Sequence, residues 1–187
     1  MLEFEKKILL SAAEYRLLLK TFIKKKENAS VQINYYYDTN DFKMNGKGIT
    51  CRVRSKNDNL EATVKSRCGK GSDCSVEVPV VIDDKLNVES FEIMGLQLQG
   101  GLITNRHEIY NDGICNAVLD CNYYLGHVDY ELEIEYIKGN EEKSVRLLKE
   151  MAKVLLYGKL IVSIESFCRR ANASKSKSER FFNFKKA

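Results

Sequence analysis

The chain lacks any apolar run approaching the roughly 18 residues that a membrane-spanning helix needs. It has no C-x-x-C pair and no histidine at zinc-like spacing from its cysteines. Proline occurs once, as Pro79, and there is no Pro-rich linker, internal repeat or low-complexity stretch. These absences argue against a helical membrane protein and against a zinc module, and they offer no point at which to divide the chain. One domain over residues 1–187 is therefore expected, long enough to bury a core without covalent staples. The N-terminus enters a charged alternating pattern at once, without a leader, so a cytoplasmic protein is expected. Its six cysteines (Cys51, Cys68, Cys74, Cys115, Cys121, Cys168) should then be free thiols. An excess of one charge is lacking too: 30 Lys and Arg stand against 26 Asp and Glu. The net charge of +4 calls for neither nucleic acid nor a membrane surface as partner.

What is present is strand periodicity. In the segment from Leu2 to Leu10, Glu3, Glu5 and Lys7 share one face and Phe4, Lys6 and Ile8 the other. Ser11 is placed to cap a helix in which Tyr15, Leu18, Leu19, Phe22 and Ile23 recur at helical spacing, before the basic run at 24–26. Further β-rich runs follow at Val31–Tyr37, Gly48–Ser55, Leu60–Ser66, Ser75–Val81, Leu102–Ile109, Asn116–Asn122 and Asp129–Ile137, about eight strands in all. A short helix is expected at Asp83–Met94, and a longer one at Glu141–Tyr157 with Gly158 placed to end it. A last short helix is expected around Phe181–Phe182. Many strands and few helices indicate an α+β domain built on a large sheet or barrel.

The charged strand faces carry the functional information. Arg52 and Arg54 share a face, as do Glu61, Thr63, Lys65 and Arg67. Asp129, Glu131, Glu133 and Glu135 line up opposite Tyr130, Leu132, Ile134 and Tyr136. Any one such face can be the solvated side of an antiparallel sheet. If the sheet closes, the same faces become a lumen, with carboxylates and guanidinium groups sorted onto different strands. Four carboxylates along one strand repel unless a cation sits among them, and paired arginines call for a polyanion. A divalent metal with a phosphate chain meets both demands.

These residues resemble the CYTH superfamily, the triphosphate tunnel metalloenzymes, which includes class IV adenylate cyclases and thiamine triphosphatases. Its E-x-E-x-K pattern is matched by Glu3-Phe4-Glu5-Lys6-Lys7. Other matches are Tyr37-Asp38-Thr39, Arg52-Val53-Arg54, Thr63-Val64-Lys65, Glu77, Arg106, Leu119-Asp120, Glu131-Leu132-Glu133-Ile134-Glu135 and the basic tail from Ser174 to Arg180. The resemblance implies a closed eight-stranded antiparallel β-barrel with helices outside and a triphosphate bound in the lumen.

On that footing the phosphate chain would be held by Lys7, Arg52, Arg54, Lys65, Arg106 and one of Lys175 or Lys177, forked guanidinium donors mixing with movable ammonium groups. Glu3, Glu5, Glu131 and Glu133 would hold Mg²⁺ or Mn²⁺, hard ions suited to carboxylate oxygen, with Glu77, Asp120 and Glu135 as second choices. Glu131 or Glu133 would also position the attacking water, so hydrolysis needs no protein nucleophile. The expected function is metal-dependent triphosphate hydrolysis. A non-catalytic polyphosphate or nucleotide sensor and an adenylate cyclase want the same tunnel and remain as alternatives. His107 and His127 read as packing or surface residues, and Tyr35–Tyr37 and Tyr123–Tyr124 as β-formers rather than base-stacking platforms.

Overall fold

The computed structural model describes residues 1–23, 29–57, 59–69, 73–80, 91–92, 94–171 and 173–187. Eight strands, β1 (Leu2–Leu10), β2 (Ala29–Asp38), β3 (Ile49–Lys56), β4 (Asn59–Arg67), β5 (Cys74–Pro79), β6 (Gln97–Asn111), β7 (Cys115–Tyr124) and β8 (His127–Tyr136), close into an antiparallel barrel. Its order is β1-β5-β4-β3-β2-β6-β7-β8, and β8 returns to β1 through pairs such as Glu5 with Glu135 and Lys7 with Glu133. Closure turns one face of every strand inward, so the period-two alternation separates lumen from outer wall.

Three helices cover part of that wall. These are α1 (Ala12–Phe22), α3 (Glu141–Tyr157) and α4 (Ile164–Arg170), and they bury Leu18, Leu148, Met151, Leu155 and Phe167 against Ile8, Leu119, Leu132 and Ile134 of the strands. Ser11 begins α1 with a capping box: its hydroxyl accepts from the Glu14 N–H, and the Glu14 carboxylate accepts from the Ser11 N–H. The same carboxylate takes Arg170 of α4 at 2.6 Å, which ties the two helices together. Gly158 does follow α3, but not in a left-handed conformation. A Cβ there would lie 2.4 Å from Leu17 Cδ2, so the glycine permits close approach of α3 to α1.

A four-residue helix, α2 (Lys43–Gly46), escaped the sequence reading. The buried Asp38 carboxylate holds it by accepting from the N–H groups of Thr39, Met44 and Asn45. The α4 segment was not anticipated either. β6 starts five residues before the expected Leu102 because Gly100 and Gly101 mask the pattern. Gly100 has φ +141°, and a Cβ there would meet the Phe181 ring at 3.0 Å. The helix expected at Asp83–Met94 lies mostly outside the described residues, as does the basic run at 24–26. No described helix is long and apolar enough to cross a membrane.

The terminal helix α5 (Lys177–Lys186) is longer than expected and enters the barrel. Phe181 and Phe182 pack among Tyr36, Leu102 and Tyr124, inward-facing residues of β2, β6 and β7, and Phe42 closes the cluster. The expectation of six free thiols is corrected at one place: Cys68 and Cys74 are joined, their Cα atoms 5.5 Å apart. The cause is register. Arg67 pairs with Ser75, the next pair outward is Cys68 with Cys74, and the Cys68 N–H donates to the Cys74 carbonyl at 3.0 Å. Cys51, Cys115, Cys121 and Cys168 are free.

The helix-to-barrel contact dominates the outer core, so truncating one of its fully buried leucines tests it. Leu155→Ala, at a fully buried α3 position, should cost about 2–5 kcal/mol of unfolding free energy in chemical denaturation.

Candidate active site

The lumen contains a cavity of about 470 Å³ whose wall includes Glu3, Glu5, Lys7, Arg52, Arg54, Lys65, Arg106, Glu133, Glu135 and Lys177. Strand pairing explains how residues so distant in sequence meet. Arg106 is the direct neighbour of Asp120, and Asp120 of Glu131, so a cation and two carboxylates form one row across β6, β7 and β8.

Asp120, Glu131 and Glu133 are 0, 0 and 5 % exposed and offer oxygens all within 4.8 Å of one another. Buried carboxylates at that spacing require compensation. Lys177, the first residue of α5, supplies it, with Nζ 2.8 Å from Asp120, 2.9 Å from Glu131 and 2.8 Å from Glu133. Arg106 adds a two-pronged contact to Asp120 at 2.9 and 2.7 Å and a further contact to Glu133. Arg180 does the same for Asp129 and Glu131, at 2.8 and 3.0 Å. Burial alone would raise the Glu133 pKa, but Lys177, Arg106 and Lys7 outweigh it and hold the carboxyl well below its ordinary range. Burial likewise opposes the Lys177 charge, and the three carboxylates overcome it and push its pKa up. Glu135 goes the other way: burial and the neighbouring Glu133 charge raise it.

The opposite wall is cationic. The Arg52 Nε donates to Thr63, its cross-strand partner, and its Nη2 to Glu77 at 2.8 Å. Lys65 reaches Glu3 at 2.7 Å and Glu5 at 3.4 Å, and Lys7 reaches Glu5 at 2.7 Å and Glu133 at 3.7 Å. Arg54 differs from all of these. Its Nε donates to the side-chain Oδ1 of Asn34 at 3.0 Å, and among the described residues it makes no ion pair. Burial, reinforced by Arg52 and Arg106, pulls its pKa down to about 10, the mark of a charge that the surrounding protein compensates poorly.

The predicted residues therefore converge, with a changed grouping. Glu3 and Glu5 sit against lysines instead of joining Glu131 and Glu133, and the close carboxylate trio takes in Asp120. Lys177 enters the site, while Lys175 is exposed and lends only its carbonyl, to Arg180. Glu77 lies beside Arg52. Arg180 was named only as the end of the basic tail and given no role at the site. Its signal was Ser176-x-x-Glu179, the same capping box that marks α1, which starts a helix at Lys177 and puts Lys177, Arg180, Phe181 and Phe184 on one side. Of the tyrosines, Tyr36 faces the lumen against Phe181 and Phe182, and Tyr37 packs outward on Phe91.

The closed barrel thus brings acidic and basic side chains of distant strands to one lumen. Residues 1–162 match the model of the CYTH domain, and the chain belongs to that family. A Bacillus subtilis protein provisionally named the triphosphatase YjbK is 28 % identical over 167 residues, covering 81 % of this chain and 87 % of its own. A solved structure from Bacillus halodurans, provisionally named an adenylate cyclase, superposes with a TM-score of 0.67 at 22 % identity, covering 96 % of this chain and 97 % of its own. Another from Hippeastrum, provisionally named the adenylyl cyclase HpAC1 and described as having a dominant triphosphatase activity, gives 0.56 at 17 % identity, with 87 and 99 % coverage.

The lumen charges fix a pH response. Glu5, Glu77 and Glu133 all have depressed pKa values because neighbouring cations outweigh their burial. Stability from such groups is complete above the unfolded carboxylate value and is lost as pH falls through the folded values. Glu135 has the opposite sign and offsets a little of that loss. Lys7 and Lys177 are raised, so their contribution is complete at neutral pH and is lost only at pH above the ordinary lysine value. The thermal midpoint of metal-free protein, followed by circular dichroism, should fall steeply once the pH drops below about 4.5 and change little between neutrality and pH 9.

Proposed function

We propose that this protein hydrolyses the terminal phosphoanhydride bond of an inorganic or organic triphosphate, with a divalent metal ion, Mg²⁺ or Mn²⁺, in the barrel lumen. One observation carries the reading: Arg54, a partly buried guanidinium without a carboxylate partner among the described residues, shares one cavity with seven other lysines and arginines and with Glu133, a member of the three-carboxylate cluster. An uncompensated cation beside an otherwise paired network is the place where an anion gains most. The relatives with triphosphatase descriptions support the same chemistry.

Asp120, Glu131 and Glu133 suit a hard divalent ion, because they offer only carboxylate oxygens and already surround a cationic group. Bound there, the ion supplies Lewis-acid polarisation of the phosphate chain. The protein's own part is positional. Arg52, Arg54 and Arg106 present forked donors to phosphate oxygens, and Lys7, Lys65 and Lys177 neutralise the remaining charge. Glu3, Glu5 and Glu77 keep those cations aimed into the cavity. Glu131 or Glu133 orients a water molecule and accepts its proton. The water oxygen forms the new bond to the terminal phosphorus, the bridging P–O bond breaks, and the rest of the chain leaves one phosphate shorter.

Cyclisation of a nucleoside triphosphate would also need a seat for the base. The one aromatic residue among the described lining residues, Tyr36, is already engaged by Phe181 and Phe182, which favours hydrolysis. The chain acts as a unit in this reading, because Lys177 and Arg180 come from α5, beyond the matched residues 1–162.

Phosphate release from tripolyphosphate, nucleoside triphosphates and thiamine triphosphate, each with Mg²⁺ and Mn²⁺, is the direct test. Binding of tripolyphosphate without release under any metal would replace the enzyme with a sensor. Glu133→Gln should lower kcat by about a hundredfold or more while calorimetry still detects tripolyphosphate. Arg54→Gln should behave differently. Affinity should drop roughly tenfold to a hundredfold, for one lost charge-assisted contact, while the unfolding temperature stays at or above that of the wild type because a poorly compensated charge has gone. A marked fall in that temperature would show that Arg54 serves the fold instead.

A further inference from the structure

Lys177 occupies an unusual position for a residue that would bind substrate. Its ammonium nitrogen lies between three carboxylate oxygens, one each from Asp120, Glu131 and Glu133, at 2.8, 2.9 and 2.8 Å. Those are the same three residues whose oxygens converge within 4.8 Å as a cation seat. The seat is thus filled by a cation tethered to the chain. Lys177 is held over it from both sides: the Ser176 capping box fixes the start of α5, and three residues on Arg180 grips Asp129 and Glu131.

A divalent ion and this ammonium group cannot share the point, since three positive charges within a few ångströms in an enclosed site repel strongly. A polyanion in the cavity gives the ammonium new acceptors. Its four-carbon stem moves the head group without moving the helix, and Lys177 also lines the cavity in which Arg54 makes no ion pair among the described residues. With phosphate oxygens in the cavity, Lys177 can exchange three carboxylate contacts for phosphate contacts and leave the carboxylates to the metal.

We propose that Lys177 is the metal seat's internal counter-ion, so that the protein takes up a divalent ion together with a triphosphate and not before it. The substrate recognised is then the metal–triphosphate complex, and the substrate-free protein stays metal-poor. The proposal rests on the triphosphate reading of the lumen and adds an order to it. Because coupling is reciprocal, triphosphate raises the affinity for metal by the factor by which metal raises the affinity for triphosphate. The exchange breaks no covalent bond and moves no electron. It transfers one ammonium group between two sets of oxygen acceptors.

The test is Mn²⁺ binding to the substrate-free protein, read from the electron paramagnetic resonance signal of unbound Mn²⁺. Wild type should bind weakly, and Lys177→Met, which keeps the length of the stem and removes its charge, at least tenfold more tightly. Lys177→Ala provides the same readout should the methionine variant misfold, with circular dichroism as the check on both. In wild type, Mn²⁺ alone should leave the thermal midpoint unmoved, and Mn²⁺ with tripolyphosphate should raise it beyond tripolyphosphate alone. Folded Lys177 variants that bind Mn²⁺ no more tightly than wild type overturn the proposal, as does tight Mn²⁺ binding by the substrate-free wild type. The two readings fail separately. Loss of the hydrolase reading would appear as an absence of phosphate release, whereas this proposal is decided by Mn²⁺ affinity in protein that has met no phosphate.

Discussion

Everything distinctive about this protein follows from burying opposite charges inside a closed sheet. An open sheet could leave Glu131, Glu133, Arg52 and Arg54 in water at little cost. Closure removes the water, and each charge must then find a partner or stay costly. Most find one: Arg52 with Glu77, Lys65 with Glu3, Lys7 with Glu5, and Arg106 and Lys177 with the Asp120, Glu131 and Glu133 group. The network is balanced enough to persist without ligand, yet it leaves Arg54 lining the cavity without a carboxylate partner among the described residues. In the proposed function, affinity and stability are set against each other at that residue.

The apolar side of the design has the same origin. Phe181 and Phe182 fill the inward space left by Gly100 and bounded by Tyr36, Leu102 and Tyr124, and in doing so they seat the helix that carries Lys177 and Arg180. The charges at the start of α5 are therefore positioned by aromatic packing one turn further along. Burial of large rings, a non-directional force, delivers directional ion pairs.

Much of this was legible in the sequence because it is local. On β8 the alternation of Asp129, Glu131, Glu133 and Glu135 with Tyr130, Leu132, Ile134 and Tyr136 states which side is which before any fold is known, and the structure buries Leu132 and Ile134 beneath the helices as that pattern requires. Pairing across the barrel was not legible, since it depends on register between strands far apart in the chain. Glu3 and Glu5 share a face with the correct parity for metal, yet register brings Lys65 and Lys7 to them and brings Asp120 to Glu131. Cys68 and Cys74 show no motif and meet because β4 and β5 pair one residue further than their last ladder partners. The choice between Lys175 and Lys177 turned on where α5 begins, which Ser176 and Glu179 encode and which a helix expected only around Phe181–Phe182 left open.

The seam between β1 and β8 also has a bearing on how the chain comes to be folded. Phe4 lies opposite Tyr136, so the strand that starts the chain is paired along its length by one more than a hundred residues later. Loops of that size close slowly and without local reward. Until β8 exists, β1 has only the three-residue ladder with β5 to hold it, and its remaining backbone donors stay unpaired. The lumen is consequently a late product of folding, completed when β8 joins β1, and an arrested chain presents two open sheet edges where the closed barrel has none.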